Sequence, residues 1–186
     1  IQKELDEAIR QVLESGQYVM GPALKRFEEN LAKYAGMKYA VGVNSGTDAL
    51  WLVFMALGIG PGDEIITTTN TFFATAEAIW IAGAKAVFVD TDPNTNNIDP
   101  ARIEEAVTPR TKAIVPVHLY GLSADMKAIS AIAKKHELFV IEDNAHGLFG
   151  RWHGRPLGTF GAMATLSFHD TKNFTCGEGG ALVLND

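Results

Sequence analysis

The sequence predicts an α/β fold: a layer architecture around a central, largely parallel sheet. Short apolar runs alternate with helical patterns along most of the chain, and those runs are apolar on both faces, as strands covered by helices on either side must be. Polar groups collect just after the runs, at the carboxyl ends where open parallel sheets bind ligands. With 186 residues, 47% hydrophobic and 20% charged, the chain can bury the core that one such domain needs.

The first elements are helical. Glu4 to Leu13 places Leu5, Ile9, Val12 and Leu13 on one face, and Pro22 to Tyr34 does the same with Leu24, Phe27, Leu31 and Tyr34. Ser15-Gly16 and Gly21-Pro22 punctuate the join. These opening helices occupy residues 1–36, and the sheet domain is expected over 37–186. The strand-like runs are Tyr39 to Val43, Glu64 to Thr68, Ala86 to Asp90, Ala113 to Val117, Leu138 to Glu142, Met163 to Phe168 and Ala181 to Leu184. Helical stretches at Thr47 to Leu57, Phe72 to Ala82, Pro100 to Val107 and Ala124 to Lys135 separate most of them. No helix joins the last two runs, so one of these strands is expected to run antiparallel.

Bulk charge narrows the partners. A formal charge of -6 with scattered basic residues argues against nucleic acid or an anionic membrane surface. No apolar run reaches the ~20 residues of a membrane span, and no basic-then-apolar leader is present. The single cysteine, Cys176, cannot form an intrachain disulfide framework, which fits a reducing cytoplasm; it lacks a metal-ligand companion and reads as a turn residue. The chain opens on Ile1 inside a helical pattern and stops at Asp186 just after a strand, so it is expected to be a piece of a longer protein.

The strand-end groups are Asn44-Ser45-Gly46-Thr47, Thr69-Asn70-Thr71-Phe72, Asp90, His118, Asp143 and Ser167, and they converge on one rim. Ser45 to Thr47 opens a helix, where exposed N–H groups attract an anion; an ordinary helix cap explains the same residues. Ser167 would add a hydroxyl from a neighbouring strand. Phe72 either stacks on a flat ring or packs in the core. Asp143 ends a buried run, so its carboxylate must meet donors or a cation: the turn that follows, or a protonated pyridine nitrogen. Lys172, between a strand and a glycine-rich turn, is either an edge residue reaching water or an amine placed for chemistry. Together, an amine nucleophile and a buried carboxylate at strand ends form the pairing that a pyridoxal phosphate enzyme needs. His146 lies within reach of the same ligand, whereas His118 reads as a satisfied histidine and His136, His153 and His169 carry no assigned role.

Four motifs carry a resemblance over essentially the whole chain. Gly46-Thr47-Asp48-Ala49-Leu50, Pro61-Gly62-Asp63-Glu64, Glu142-Asp143-Asn144-Ala145-His146, and Ser167-Phe168-His169-Asp170-Thr171-Lys172-Asn173 with Gly177-Glu178-Gly179-Gly180 resemble the nucleotide-sugar aminotransferases of the DegT/DnrJ/EryC1/StrS family. Gly21-Pro22 and Phe27-Glu28 fit that family's opening. The resemblance implies the large domain of an aspartate-aminotransferase-type fold, a fold type I pyridoxal phosphate enzyme with a mostly parallel seven-stranded sheet. It also implies a homodimer with the active site at the interface, and a small C-terminal domain absent from this chain, which leaves the isolated piece without expected activity.

By the same resemblance Lys172 holds pyridoxal 5'-phosphate as a Schiff base, Asp143 pairs with its pyridine nitrogen and His146 lies by its ring hydroxyl. Ser45, Gly46, Thr47 and Ser167 take the phosphate end, and Phe72 stacks on the ring. The implied reaction moves an amino group from an amino acid, usually L-glutamate, to a keto group on a nucleotide-linked deoxy sugar. The surroundings of Lys172 are similar to the branch that aminates 4-keto-6-deoxyhexoses on dTDP. Two alternatives stand beside this: a dehydratase of the same family, whose branch has histidine in the place of Lys172, and a catalytically silent regulatory protein, for which no basic face or DNA-binding motif is visible.

Overall fold

The computed structural model describes residues 1–185. Two helices lead, α1 (Gln2–Ser15) and α2 (Pro22–Ala35), and each stops at a left-handed glycine, Gly16 at φ 65° and Gly36 at φ 71°. Pro22 opens α2 without losing a helical hydrogen bond, because the first N–H groups of a helix have no partner in it. The two helices differ in what they cover. α2 buries Leu31, Ala32 and Ala35, while Leu5, Ile9 and Leu13 of α1 stay exposed.

The main sheet contains β1 (Tyr39–Val43), β2 (Glu64–Thr68), β3 (Lys85–Val89), β4 (Thr111–Val115), β5 (Phe139–Asp143), β8 (Met163–Ser167) and β9 (Gly180–Leu184). Their order is β1-β9-β8-β5-β4-β2-β3. β8, β5, β4, β2 and β3 run parallel, and β9 lies antiparallel to both β8 and β1. The strand reached without a helix is thus the one that reverses. α3 (Gly46–Ala56), α4 (Phe73–Ile81), α5 (Pro100–Ala106) and α6 (Met126–Lys135) fill the crossovers. A small hairpin, β6 (Arg151–Trp152) with β7 (Arg155–Pro156), was not anticipated by the hydrophobic pattern.

Strand alternation sorts the core into two faces. Ile65, Ala113, Val115 and Ile141 pack against Leu50, Val53 and Phe54 of α3 and Ala78 and Ile79 of α4. Their neighbours Ile66, Ile114 and Val140 point the other way, onto Ile103 of α5 and Met126 and Ile129 of α6. Each large side chain buried in this way stabilises the fold by about 1.5–3 kcal/mol. Leu31 and Ala35 of α2 cover Ala164, Leu166, Ala181 and Val183. The register pairs Ala164 with Glu142, which shares its face with Val140, so α2 lies on the α5–α6 side.

The α/β expectation holds, with small shifts at strand ends. The run expected to reach Val117 leaves the ladder at Val115, because Pro116 has no N–H to donate; Val117 then meets Asp143 in an isolated bridge. That bridge draws the end of β4 beside the end of β5.

Candidate active site

Asp143 is the last residue of β5, and alternation turns its side chain to the α3–α4 side. It is 5% exposed. Its Oδ2 accepts the Thr75 hydroxyl at 2.7 Å, and its Oδ1 accepts the Ala145 N–H at 3.2 Å. The turn-capping contact expected for Asp143 is therefore present, yet two donors do not saturate a carboxylate that has room for about four. Thr75 lies on α4, and its Oγ1 sits 2.7 Å from that of Thr71, one helical turn earlier. Thr71 stands among the strand-end groups read from the sequence, whereas Thr75 was not singled out. A hydroxyl pair spaced by four residues at the start of a helix was the available signal.

The turn after β5 carries His146 back toward the same rim. Its Nε2 lies 3.0 Å from Lys172 Nζ, joining residues 26 positions apart. Its Nδ1 accepts the Tyr120 backbone N–H at 3.3 Å, and the Tyr120 ring stacks on it at 5.4 Å with planes 9° apart. Burial and then the charge that Lys172 carries when protonated hold the His146 imidazole below its ordinary value, against an upward pull from Asp143. Lys172 is half-buried between β8 and β9, with Nζ 5.9 Å from the Phe72 ring centre. Phe72 caps the start of α4 and is 74% exposed, so it does not pack in the core.

A second part of the rim is built by close backbone approach. Ser45 caps α3: its Oγ accepts the Asp48 N–H at 3.0 Å and donates to Asp48 Oδ2 at 2.8 Å. The ordinary cap is thus real, and it leaves the Gly46 and Thr47 N–H groups in the first turn of an eleven-residue helix. A Cβ on Gly46 would lie 2.9 Å from Ser167 Cβ. On Gly180 it would come within 2.2 Å of the Ser45 carbonyl carbon. Only glycines let β1, β8, β9 and α3 meet this closely.

His118 is not part of the rim. It is fully buried, its Nε2 bonded to Glu142 Oε2 at 2.9 Å and its Nδ1 accepting the Ala124 N–H at 3.2 Å. A groove of about 810 Å³ runs along α4 and the edge strand β3, lined by Phe73, Trp80 and Phe88. Of its charged groups, Lys85 and Arg110 both pair with Glu64 and Asp63 accepts the Gly60 N–H, and no histidine lines it.

The family model described as the DegT/DnrJ/EryC1/StrS aminotransferase family matches residues 1–186. Among curated relatives, a pleiotropic regulatory protein of Geobacillus stearothermophilus is 49% identical over 187 residues, spanning 100% of this chain and 50% of its own length. A UDP-2-acetamido-2-deoxy-3-oxo-D-glucuronate aminotransferase of Pseudomonas aeruginosa is 48% identical, spanning 100% and 52%. A dTDP-3-amino-3,4,6-trideoxy-alpha-D-glucose transaminase of Streptomyces venezuelae is 45% identical, spanning 100% and 49%. Among solved structures, S. venezuelae DesV in complex with a ketimine intermediate superposes with a TM-score of 0.97 at 45% identity, over 100% of this chain and 50% of that one. The PLP form of the putative sugar aminotransferase Spr1654 of Streptococcus pneumoniae superposes at 0.95 and 32% identity, over 100% and 51%. The chain thus spans about half the length of the curated relatives it matches. Its large-domain architecture is that of fold type I pyridoxal phosphate aminotransferases, and the chain belongs to the DegT/DnrJ/EryC1/StrS aminotransferase family.

Proposed function

We propose that the full-length protein uses pyridoxal 5'-phosphate to move an amino group from an amino acid, L-glutamate in the first instance, to a keto group of a nucleotide-linked deoxy sugar. The observation that carries this reading is the approach of Lys172 Nζ to His146 Nε2 at 3.0 Å, with Asp143 on the same rim and its carboxylate only partly engaged. The residues present fit the cofactor. The turn from Ser45 to Thr47 packs so closely on Ser167 and Gly180 that a Cβ on Gly46 or Gly180 would collide, and it opens into a helix N-terminus suited to a phosphate.

When bound, the cofactor supplies a cationic ring that withdraws electrons from the substrate carbon. Lys172 Nζ would hold it covalently and, once displaced by an amino substrate, would serve as the base that moves the proton off that carbon. Asp143 would keep a proton on the ring nitrogen, because a buried carboxylate with spare acceptor capacity favours a cation beside it. His146 would bear on the ring hydroxyl, and Phe72, which is exposed, would cover one ring face. Alternation of donor and keto acceptor at one amine gives ping-pong kinetics.

Three finer readings belong to the same proposal: a dTDP-4-keto-6-deoxyhexose acceptor, a homodimer with the active site at its interface, and a cytoplasmic location. The acceptor rests on the residues around Lys172, and the relatives' names cover both UDP and dTDP sugars. No described helix is long and apolar enough to cross a membrane. A regulatory role is the second reading, favoured by the name of the Geobacillus relative.

The test is spectroscopic. Full-length protein loaded with cofactor is expected to change its visible absorbance on adding L-glutamate and to release 2-oxoglutarate, with neither response in Lys172→Ala. A spectrum that ignores glutamate and every other amino acid tried would overturn the transaminase and favour the regulatory reading. A panel of keto sugars, followed by mass spectrometry of the aminated product, then selects the acceptor.

A further inference from the structure

The turn after β4 holds a residue with unusual backbone geometry. Tyr120 is 86% exposed and adopts φ 49°, ψ 27°, followed by Gly121 at φ 84°. Left-handed backbone is unfavourable for a bulky L-residue and persists only where its surroundings enforce it. Here they do. Asn97, 2% exposed in the loop between β3 and α5, accepts the Leu119 N–H through Oδ1 at 3.1 Å and donates from Nδ2 to the Leu122 carbonyl at 3.0 Å. One buried amide therefore brackets the kink on both sides. Gly121 N–H to the His118 carbonyl at 3.0 Å and Leu122 N–H to the Leu119 carbonyl at 2.9 Å close it. A Cβ on Gly121 would lie 3.2 Å from the His146 carbonyl oxygen, so the kink also rests against the His146 backbone.

The product of the kink is two contacts on one imidazole, the Tyr120 N–H on Nδ1 and the Tyr120 ring on its face. An Nδ1 that accepts cannot carry a hydrogen, which places the ring hydrogen on Nε2, directed at Lys172 Nζ.

We propose that Asn97 and Tyr120 are positioning residues: Asn97 locks the 119–122 turn so that Tyr120 holds His146 as the neutral, Nε2-protonated tautomer facing Lys172. The other ionisable groups facing His146 are Lys172 and Asp143, whose opposed effects leave desolvation as the leading influence. Covering of the imidazole by Tyr120 is part of that desolvation. The use of this arrangement in catalysis rests on the proposed function, but the state of His146 does not.

The test therefore reads His146 directly, by nuclear magnetic resonance of nitrogen-15-histidine-labelled, full-length protein stripped of cofactor. Wild type is expected to show the Nε2–H tautomer and to titrate below the ordinary histidine value. Tyr120→Phe keeps both contacts and should match it. Tyr120→Gly relieves the left-handed strain while deleting the ring, so its melting temperature should not fall, yet His146 should titrate higher by about half a unit or more. Asn97→Ala should leave His146 as a mixture of tautomers; if that variant does not fold, Tyr120→Gly decides alone. A wild-type His146 with its hydrogen on Nδ1, or an unmoved titration in Tyr120→Gly, would overturn the inference. An Nε2–H His146 that shifts as expected, in a protein that ignores glutamate, would instead leave this inference standing and remove the transaminase.

Discussion

Glu142 and Asp143 are adjacent acids on one strand, both buried, and the structure treats them oppositely. Glu142 points to the α5–α6 side, where Oε1 accepts the Phe160 and Gly161 N–H groups at 2.6 Å each and Oε2 accepts Gly158 N–H at 2.8 Å and His118 at 2.9 Å. Every lone-pair site is taken, so the carboxylate is a clamp on the chain before β8. Asp143 points to the other side and has two donors, Thr75 and Ala145. Both are buried, at 0% and 5% exposure; unused acceptor capacity is what differs most. That difference separates the acid that can serve a ligand from the acid that holds the fold.

Exchanging each acid for its amide tests the comparison with the largest expected effects. In the full-length protein, Asp143→Asn should lower the proposed turnover on the order of 10³-fold while its melting temperature stays within about 2 °C of wild type. Glu142→Gln should do the reverse: a loss of about 3 kcal/mol in denaturant unfolding, because its amide hydrogens face backbone N–H groups, with the folded fraction still active. Equal effects of the two changes on both readouts would erase the distinction.

Thr75→Val sharpens it. Removing the hydroxyl while keeping the shape takes one of the two donors from Asp143, and should cost about 1 kcal/mol of stability and about tenfold in turnover. A larger stability loss than turnover loss would make Thr75 a packing residue only.

Acid pH gives the smallest effect and extends the comparison to a third acid. Glu64, 2% exposed, is held at about 2 by Thr108 and Arg110, with Lys85 adding to them. Its unfolded value is near 4.5, so between those values the unfolded chain binds more protons and stability falls as pH drops. Glu64→Gln should flatten that limb of the acid unfolding curve. His146, also depressed, contributes a loss that begins as pH falls below about 6.5, for the same reason of sign. Stability independent of pH across both windows would contradict these assignments.

Much of this was legible in the residues. Strands that are apolar on both faces announce themselves, and acids or amines that interrupt or follow them, such as Asp143 and Lys172, stand out because burial without a partner is costly. What stayed hidden depends on contacts across the fold. Thr75 reads as an indifferent helix residue, and its partner lies 68 positions away. Tyr120 matters through a backbone dihedral that no pattern of polarity records, enforced by Asn97 from a different loop. The Arg151 to Pro156 hairpin is too short to show a period. Ser45 was readable as a cap, and the cap is what the structure shows, but the packing of Gly46 and Gly180 that turns it into a cradle needs three strands in place.

Lys172 is the point on which the proposed chemistry turns, and one measurement interrogates it directly. Full-length protein incubated with pyridoxal 5'-phosphate, reduced with borohydride, digested and analysed by mass spectrometry should carry a single pyridoxyl adduct, on Lys172. An adduct on another lysine, or none under conditions that saturate the protein with cofactor, would contradict the site assembled here around Lys172, His146 and Asp143.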